Sequence, residues 1–503
     1  MEKFDDIQHR KVIKGTDRLI VQTGVPQAPF QYIGIDQLTT ALPSFKTING
    51  QTVLGVGDIT ITGGGSVNYA NIIFVDITNG DNATGTKNKL DKPFLTYAAA
   101  VAAATAGDII YIRRGTYPDA AYELKDLVDV YCEPGVILLG GFTNLYNTVT
   151  VKVFGYANFG SGSLPALRVD GDANISFEFD RIDGVRSYGI QEESDNTVTL
   201  KVKGNYINCS APIRVRSGNK TAVIEISQMI SAYGLYAVRL GSSGVNPLIG
   251  TISVSCPIIE VTGSGFGRAG VMLAENLSIA GYNHKIFIKA DVIRMTNPIM
   301  TETRPNIISA AVWHRGGYNI EVTANLEGNA CLGVDANLQS GPIIFGTMVI
   351  KGDVSSNIEC VSSNCKYTNG NGWGNVVFKN GLIKSLGLGA SGAVVETGNV
   401  WSPFNGGVNG DIQFVNCVLY NAATNGKIVQ HDIPNDATDK NIYFYDCIAY
   451  TEGVGGFFAS SVQANKRIGL HNVRSNKPLD SMVTDPFSPT GLIVDTNLII
   501  PKI

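Results

Sequence analysis

A short alternating motif recurs along most of this chain. In eleven segments between residues 177 and 470, an apolar residue is followed by any residue and then by a second apolar residue. The eleven pairs are Phe177/Phe179, Leu200/Val202, Ile224/Ile226, Ile252/Val254, Ile286/Ile288, Ile320/Val322, Met348/Ile350, Val376/Phe378, Ile412/Phe414, Ile442/Phe444 and Ile468/Leu470. Successive pairs begin 23 to 36 residues apart. Such alternation is typical of strands with one buried face, and a repeat of this length is typical of small units that stack on one another.

Four late repeats also share an Asn or Asp two residues after the apolar pair. They read V-V-F-K-N-G, I-Q-F-V-N-C, I-Y-F-Y-D-C and I-G-L-H-N-V, and the shared residues are Asn380, Asn416, Asp446 and Asn472. Asn and Asp tolerate left-handed backbone angles, so a turn at this position ends each strand and bends the chain. The pattern predicts a mainly β protein, a parallel β-helix or solenoid, with these side chains in a ladder. The patterns of leucine-rich repeats and propeller blades are not found.

Composition supports a folded, turn-rich β protein, since 44% of the 503 residues are hydrophobic, 16% are charged and 57 are glycine. The net charge is −4 without a basic run, so we expect neither nucleic acid binding nor membrane insertion. Cys417 and Cys447 occupy the same position of the repeat, which favours packing over a disulfide or a metal site. We predict no cofactor and no metal.

The repeats are preceded by the one convincing helix of the sequence, at residues 91–107. Asp91 is suited to cap it, Pro93 to begin it and Gly107 to end it. Two buried strands are predicted next, at 107–117 and 128–138. This order resembles the opening of pectate-lyase-like right-handed β-helices, which include many phage tailspikes and fibres. The resemblance implies a right-handed parallel β-helix capped by a short N-terminal α-helix, and no particular chemistry.

Residues 1–70 lack the repeat. The segment from Ser44 to Ile61, with its N-G turn, is similar to the N-terminal motif of tailed-phage fibres, including fibre-like proteins of Bacteroides-infecting, crAss-like phages. We therefore predict an extended virion-attachment and short β collar region at 1–70, a β-helix opening at 71–145, a shaft at 146–484 and a C-terminal closing strand segment at 485–503. Alternatively, this last segment pairs with neighbouring subunits.

Candidate catalytic residues are acidic, because β-helix enzymes use paired carboxylates, or a base with a cation. The candidates lie in the first repeats and are Asp170, Asp172, Asp180, Asp183, Glu192, Glu193 and Asp195. The G-H-G motif of polygalacturonases and the R-x-P-x-x-R motif of pectate lyases are absent from the sequence. Caps and solvated groups are the alternative roles for these carboxylates, so enzymatic activity stays uncertain and the sequence favours a non-enzyme.

Candidate carbohydrate-binding residues are aromatic and lie among glycines. Trp313, His314 and Arg315 precede two glycines, so the indole is suited to stack on a sugar while the other two bind its hydroxyls. Trp373 and Trp401 lie in similar glycine-rich segments. The alternative for each Trp is a packing role.

Together with the repeat, the resemblance implies a structural fibre or spike protein of a bacteriophage virion, on the tail, neck or head. The resemblance implies a homotrimer exposed on the particle exterior. Reduced cysteines fit assembly in the host cytoplasm. Residues 1–70 are expected to bind other virion proteins, and the β-helix to contact a host surface glycan. Two alternatives remain open, namely a tailspike depolymerase acting as glycoside hydrolase or polysaccharide lyase, and a purely architectural fibre.

Overall fold

The structure is a computed structural model, and it describes residues 18–21, 31–34, 71–144, 148–184, 186–216, 218–241, 248–263, 268–273, 284–296, 310–314, 319–336, 348–351, 354–365, 376–385, 393–397, 412–422, 427–431, 441–452, 458–460, 467–478, 492–495 and 498. The chain separates into two compact units, Met1–Val67 and Asn68–Ile503. In the first unit, β1 (Arg18–Val21) pairs antiparallel with β2 (Gln31–Gly34).

The described part of the second unit is mainly β, with one helix, α1 (Tyr97–Ala103). Its strands are β3 (Ile72–Val75), β4 (Ile109–Ile112), β5 (Gly115–Tyr117), β6 (Ala121–Glu123), β7 (Asp129–Cys132), β8 (Val136–Leu138), β9 (Gly141–Asn144), β10 (Val149–Gly155), β11 (Asn158–Phe159), β12 (Leu167–Val169), β13 (Ala173–Glu178), β14 (Arg181–Asp183), β15 (Tyr188–Glu192), β16 (Val198–Cys209), β17 (Ala211–Val215), β18 (Gly218–Ala232), β19 (Tyr236–Leu240), β20 (Leu248–Ser255), β21 (Ile258–Val261), β22 (Ala269–Leu273), β23 (His284–Met295), β24 (Ala310–His314), β25 (Ile320–Ala336), β26 (Met348–Lys351), β27 (Val354–Cys365), β28 (Val376–Lys379), β29 (Leu382–Ser385), β30 (Ala393–Thr397), β31 (Ile412–Val415), β32 (Val418–Asn421), β33 (Lys427–His431), β34 (Asn441–Tyr445), β35 (Ile448–Thr451), β36 (Phe458–Ser460), β37 (Arg467–His471), β38 (Val473–Ser475) and β39 (Leu492–Val494).

These strands form three rows, and within each row the neighbours pair in parallel. Row 1 contains β3, β4, β7, β10, β13, β16, β18, β20, β23, β25, β26, β28, β31, β34 and β37. Row 2 contains β5, β8, β11, β14, β16, β18, β21, β23, β25, β27, β29, β32, β35, β38 and β39. Row 3 contains β6, β9, β12, β15, β17, β19, β22, β24, β25, β27, β30, β33 and β36. The longest strands contribute to more than one row, and β16 changes from row 1 to row 2 at an irregularity between Gly204 and Tyr206.

One line of side chains crosses the whole of row 1 and forms part of the hydrophobic core. Its members are Ile73, Ile110, Val130, Val153, Phe177, Val202, Ile224, Val254, Ile288, Val322, Ile350, Phe378, Phe414, Phe444 and Leu470. Each is at most 2% exposed. Phe414 stacks on Phe378 and on Phe444, with ring centroids 5.0 and 5.1 Å apart. The apolar repeat in the sequence therefore corresponds to the inward-facing positions of the row-1 strands.

The register confirms nine of the eleven predicted apolar pairs and corrects two. Leu200/Val202 pairs with Ile175/Phe177 on one side and with Ala222/Ile224 on the other. The predicted pairs Phe177/Phe179 and Ile224/Ile226 are thus displaced by two residues. The displacement arose because Phe179 and Ile226 are also buried, at 4% and 2% exposure, just after the aligned positions. A shift of two residues leaves the same face inward, so the apolar pattern cannot detect it.

The predicted Asn/Asp turns are confirmed. The backbone φ angles are 58° at Asn380, 52° at Asn416, 53° at Asp446 and 55° at Asn472, all in the left-handed region. Nδ2 of Asn416 donates to Oδ1 of Asn380 at 3.0 Å, and Nδ2 of Asn472 donates to Oδ1 of Asp446 at 2.8 Å. These side chains therefore form the expected ladder, as two hydrogen-bonded pairs.

The helix is present but shorter than predicted. It begins at Tyr97, with the Thr96 hydroxyl accepting from the Ala99 amide at 3.3 Å, and it ends at Ala103. Residues 91–95 precede it because Phe94 bridges to Val75 of β3 instead. Tyr97 and Ala100 bury one face of the helix, which packs against β3 and β4 of row 1 and β6 of row 3.

Three further predictions concern strands, cysteines and the C-terminal segment. The segments 107–117 and 128–138 each contain two strands, β4 with β5 and β7 with β8, rather than one. Cys417 and Cys447 are buried free thiols, as predicted. Leu492–Val494 pairs with Val473–Ser475 of its own chain, which favours the closing role for this strand. Within the described residues, no helix has the length and apolar character needed to cross a membrane.

Candidate ligand groove between rows 1 and 2

A groove of about 550 Å³ runs across the corner where row 1 meets row 2. It crosses the ends of five neighbouring row-1 strands, β10, β13, β16, β18 and β20. The lining residues are Gly155, Tyr156, Glu178, Phe179, Asp180, Lys203, Gly204, Asn205, Glu225, Ile226, Ser227, Ser255 and Pro257. At about 4.8 Å between neighbouring strands, five strands span roughly 19 Å. The groove is therefore long enough for an extended ligand.

The groove has an apolar base and an exposed ring at one end. Phe179 and Ile226 are buried, whereas Tyr156 is 55% exposed. Gly204 has no room for a side chain, because a Cβ there would lie 2.2 Å from Cζ of Phe179. The Phe179 ring thus lies against the backbone of the next strand, and Gly204 is required for that contact.

One line of polar side chains along the groove is held by hydrogen bonds. Nδ2 of Asn205 donates to Oδ1 of Asp180 at 2.7 Å, and the Ser227 hydroxyl donates to Oδ1 of Asn205 at 2.7 Å. The three residues follow the core positions of β13, β16 and β18 at the same offset. This chain of bonds fixes a row of oxygen and nitrogen atoms along the groove.

A second line is charged, and its charged groups are free. Glu178, Lys203 and Glu225 are in register on three adjacent strands. Among the described residues, none of the three has an ion pair within 4.0 Å or a side-chain hydrogen bond. Two carboxylates and one ammonium therefore remain available to a ligand.

Hydrogen-bonding groups beside an exposed aromatic ring are typical of sites for polar ligands with an apolar face. Carbohydrates have this character, because each sugar ring presents hydroxyls at its edge and C–H groups on its face. The groove supplies Tyr156 for the face, and the two polar lines for the hydroxyls. It has the chemistry of a site for a polar ligand with an apolar face.

Of the seven carboxylates predicted from sequence, Asp180 lines this groove. Asp183 lies on the outer face of row 2, where Arg181 binds its Oδ2 at 2.6 Å. Burial raises the pKa of Asp183, but hydrogen bonds from Arg181 and from the Gly184 amide outweigh this effect and hold the pKa below its usual range. Asp183 is therefore a charged partner of Arg181.

Two further carboxylates support the turns between rows 3 and 1. Asp170 pairs with Arg168, whose Nε lies 2.7 Å from Oδ2. Asp172 accepts a hydrogen bond from the Thr197 amide at 3.0 Å. Asp172 thus has a capping role, which was one of the alternatives to catalysis, whereas Asp170 is an ion-pair partner.

The last three acidic candidates meet basic side chains at the same corner. Glu192 is buried with Lys220, Glu193 binds Arg214 at 2.8 Å, and Asp195 lies 3.9 Å from Arg216. Burial raises the pKa of Glu192 to about 7, and Lys220 and the Arg216 and Ser194 amides oppose this rise. Among the seven, the described structure does not bring a second one into the groove with Asp180.

Trp313, a predicted carbohydrate-binding residue, is buried. Trp313 is 5% exposed and packs with Tyr236, Met272 and two alanines in a cluster separate from the main core. This environment favours the packing role for Trp313. His314 lies in β24, and nothing is described of its side chain. Arg315, Trp373 and Trp401 lie outside the described residues.

Sequence reasoning missed polar or aromatic groove residues, among them Tyr156, Glu178, Lys203, Asn205, Glu225 and Ser227. A signal was present, because the segments V-F-G-Y at 153, F-E-F-D at 177, V-K-G-N at 202, I-E-I-S at 224 and V-S-C-P at 254 share one register. The second and fourth positions of each segment face outward at the corner. Their polar and aromatic character is visible only after the register has been corrected.

Comparisons of the chain with protein-family models, with curated proteins and with solved structures found no match. Among the described residues, no group of three or more His, Cys, Asp or Glu side chains is arranged to hold a metal ion. Function is therefore inferred from the groove and from the fold.

Proposed function

We propose that this protein is a fibre or spike of a bacteriophage virion that binds a host surface glycan. Its residues 1–70 attach it to other virion proteins, and the second unit projects from the particle as a homotrimer. Glycan binding is supported mainly by the line of Glu178, Lys203 and Glu225. Among the described residues their charged groups are free, and they lie in one groove with the exposed Tyr156.

The proposal includes a right-handed parallel β-helix for the second unit. It is supported by the three rows of parallel strands, by the core line from Ile73 to Leu470 and by the helix packed on the first strands. A solenoid of this kind is stiff along its length, because each repeat is bonded to both neighbours. Stiffness suits a projecting fibre.

The assembly is tested on the full chain and on a variant without residues 1–70. Sedimentation of the full chain is expected to give a trimer, and a monomer contradicts the proposed assembly. Removing residues 1–70 is expected to abolish incorporation into particles while the second unit still folds. Retained incorporation contradicts the attachment role.

Glycan binding is tested with a glycan array and a matched pair of lysine variants. Lys203 and Lys201 are both exposed on β16, but only Lys203 lines the groove. We expect the wild-type chain to bind at least one glycan, K203A to bind at least about fivefold more weakly, and K201A to bind as wild type. Each hydrogen bond to a charged group contributes about 1.5–3 kcal/mol, which justifies that magnitude. Equal binding by both variants contradicts the groove as the site.

The second candidate function, polysaccharide cleavage, is favoured by one observation. Three carboxylates, Glu178, Asp180 and Glu225, line the groove, and glycosidases act through carboxylate pairs. Release of reducing ends or unsaturated sugar from host polysaccharide, lost in E178Q, D180N or E225Q, would establish a depolymerase. Binding without release supports a fibre, and an absence of any glycan binding supports a purely architectural fibre.

A further inference from the structure

We propose that the groove selects a glycan that contains amino sugars with free, protonated amino groups, in preference to an acidic glycan. This inference rests on the proposed glycan binding and specifies its substrate class. It follows from the sign and position of the charges that line the groove.

The groove is acidic. Its described lining residues include three carboxylates, on Glu178, Asp180 and Glu225, against the single cation Lys203. A glycan of uronic or sialic acids would bring further carboxylates beside these three, and like charges repel. A protonated amino group replaces that repulsion with attraction.

The two free carboxylates are spaced along the groove. Glu178 and Glu225 lie on either side of Lys203, one strand from it in each direction. Their Cα atoms are therefore roughly 10 Å apart, at about 4.8 Å per strand. Two ammonium groups on an extended oligosaccharide can each meet one carboxylate, because the carboxylates do not compete for the same point.

Lys203 and the hydrogen-bonded line of Asp180, Asn205 and Ser227 have a different role from that of the two free carboxylates. Lys203 carries donors only, so it suits hydroxyl or ring oxygens of a sugar between the two carboxylates. Asp180, Asn205 and Ser227 are already bonded to one another, so they supply a fixed set of neutral and acidic contacts. Tyr156 offers a surface to the face of a ring at the end of the groove.

The test uses the full chain and three hexasaccharides of equal length, made of glucosamine, of N-acetylglucosamine and of galacturonic acid. Titration calorimetry at pH 6 and low salt is expected to rank them in that order, with about tenfold between the first two. High salt should reduce the preference, because exposed charges are screened. Acetylation removes the positive charge and keeps the ring, so the first two probes isolate the ammonium group.

Variants separate the charge from the shape of the groove. E178Q/E225Q is expected to bind the glucosamine and N-acetylglucosamine hexamers within about threefold of each other, because the amides keep the volume and lose the charge. K203A should increase the preference for glucosamine, whereas K201A should leave it unchanged.

The outcomes distinguish the two proposals. Equal binding of the first two probes, tighter binding of the galacturonic acid probe, or an array that shows binding only to glycans without free amino groups overturns the amino-sugar inference. Each of these outcomes leaves glycan binding standing. No binding to the three probes or to any glycan on the array overturns both proposals.

Discussion

Nζ of Lys220 lies 3.0 Å from Oε1 of Glu192, and each side chain is at most 1% exposed. Nζ also donates to the backbone carbonyls of Ser194 and Asn196, at 2.7 and 2.9 Å. The carboxylate accepts from the amides of Ser194 and Arg216. Every donor of the ammonium is thus used, and the pair links β15, β18 and the turn between rows 3 and 1.

Loss of Lys220 should be costly, because it leaves the Glu192 carboxylate buried without its partner. We expect K220M to lower the free energy of unfolding by about 3–5 kcal/mol. Chemical denaturation followed by circular dichroism measures the change. The control is the double variant K220M/E192L, which removes both charges and is expected to recover most of the loss. A stable K220M contradicts the importance of the pair.

A histidine makes stability depend on pH. His284 is 4% exposed, and its Nε2 accepts the Asn319 amide at 2.7 Å. Burial lowers the pKa of His284 to about 4, from an ordinary 6.5. Neutral His284 is favoured in the folded state, because its imidazole binds a proton less readily there than in the unfolded chain. The contribution of His284 to the free energy of unfolding is therefore full above pH 6.5 and falls as the pH drops toward 4.

We expect acidification across that window to cost up to roughly 3 kcal/mol through His284. Denaturation midpoints at pH 4, 5, 6 and 7 measure the dependence. H284Q keeps an acceptor and cannot be protonated, so its midpoint should change less between pH 6.5 and 4. Identical pH profiles for H284Q and the wild type would disprove the role of His284.

The Asn ladder predicts a residue-specific cost at a left-handed turn. Asn416 has φ of 52° and donates to Asn380. N416A should destabilise by about 1–2 kcal/mol, and N416G by less, because glycine keeps the backbone angle and loses only the side-chain bond. The exposed Asn174 of β13 serves as control, and N174A should be nearly neutral. Equal effects at both positions would show that the left-handed angle is irrelevant.

A buried arginine supports the corner between rows 2 and 3. Arg186 is fully buried and donates to five backbone carbonyls, those of Leu138, Leu139, Gly140, Gly160 and Leu164. Burial lowers the pKa of Arg186 to about 10, so it stays charged at neutral pH.

R186M should lower the free energy of unfolding by about 3 kcal/mol or more, because five carbonyls lose their donor in a buried site. R186K is the informative second variant. It keeps the positive charge, but its ammonium has three donors and lacks the planar geometry of a guanidinium. Its stability should therefore lie between those of R186M and the wild type. Thermal unfolding ranks the three chains. A wild-type melting curve for R186M would contradict the account.

The sequence predicts row 1 well because its inward positions are apolar in every repeat, as at Phe378, Phe414 and Phe444. Rows 2 and 3 are harder to predict, because their strands are short, and the predicted segment 107–117 merged β4 with β5. Periodicity fixes which face is buried but not how many strands make one repeat.

The groove shows what a two-residue register error conceals. The predicted pairing places Glu178 beside Lys201, whereas the structure places it beside Lys203. Outward-facing residues carry no apolar period, so nothing in the sequence corrects the error locally. Glu178 and Glu225 also have no ion-pair partner among the described residues, and no sequence pattern reports this. The burial of Trp313 likewise depends on contacts in three dimensions that no sequence pattern reports.

We propose that this chain projects from a virion and contacts a host glycan through its second unit. Cryo-electron microscopy of intact particles, with and without an antibody fragment against the groove corner, tests it most directly. We expect a projecting trimer attached through residues 1–70, with the fragment bound on its outer surface and blocking adsorption to host cells. Particles that lack the chain, or that hold it inside the capsid, would contradict the account.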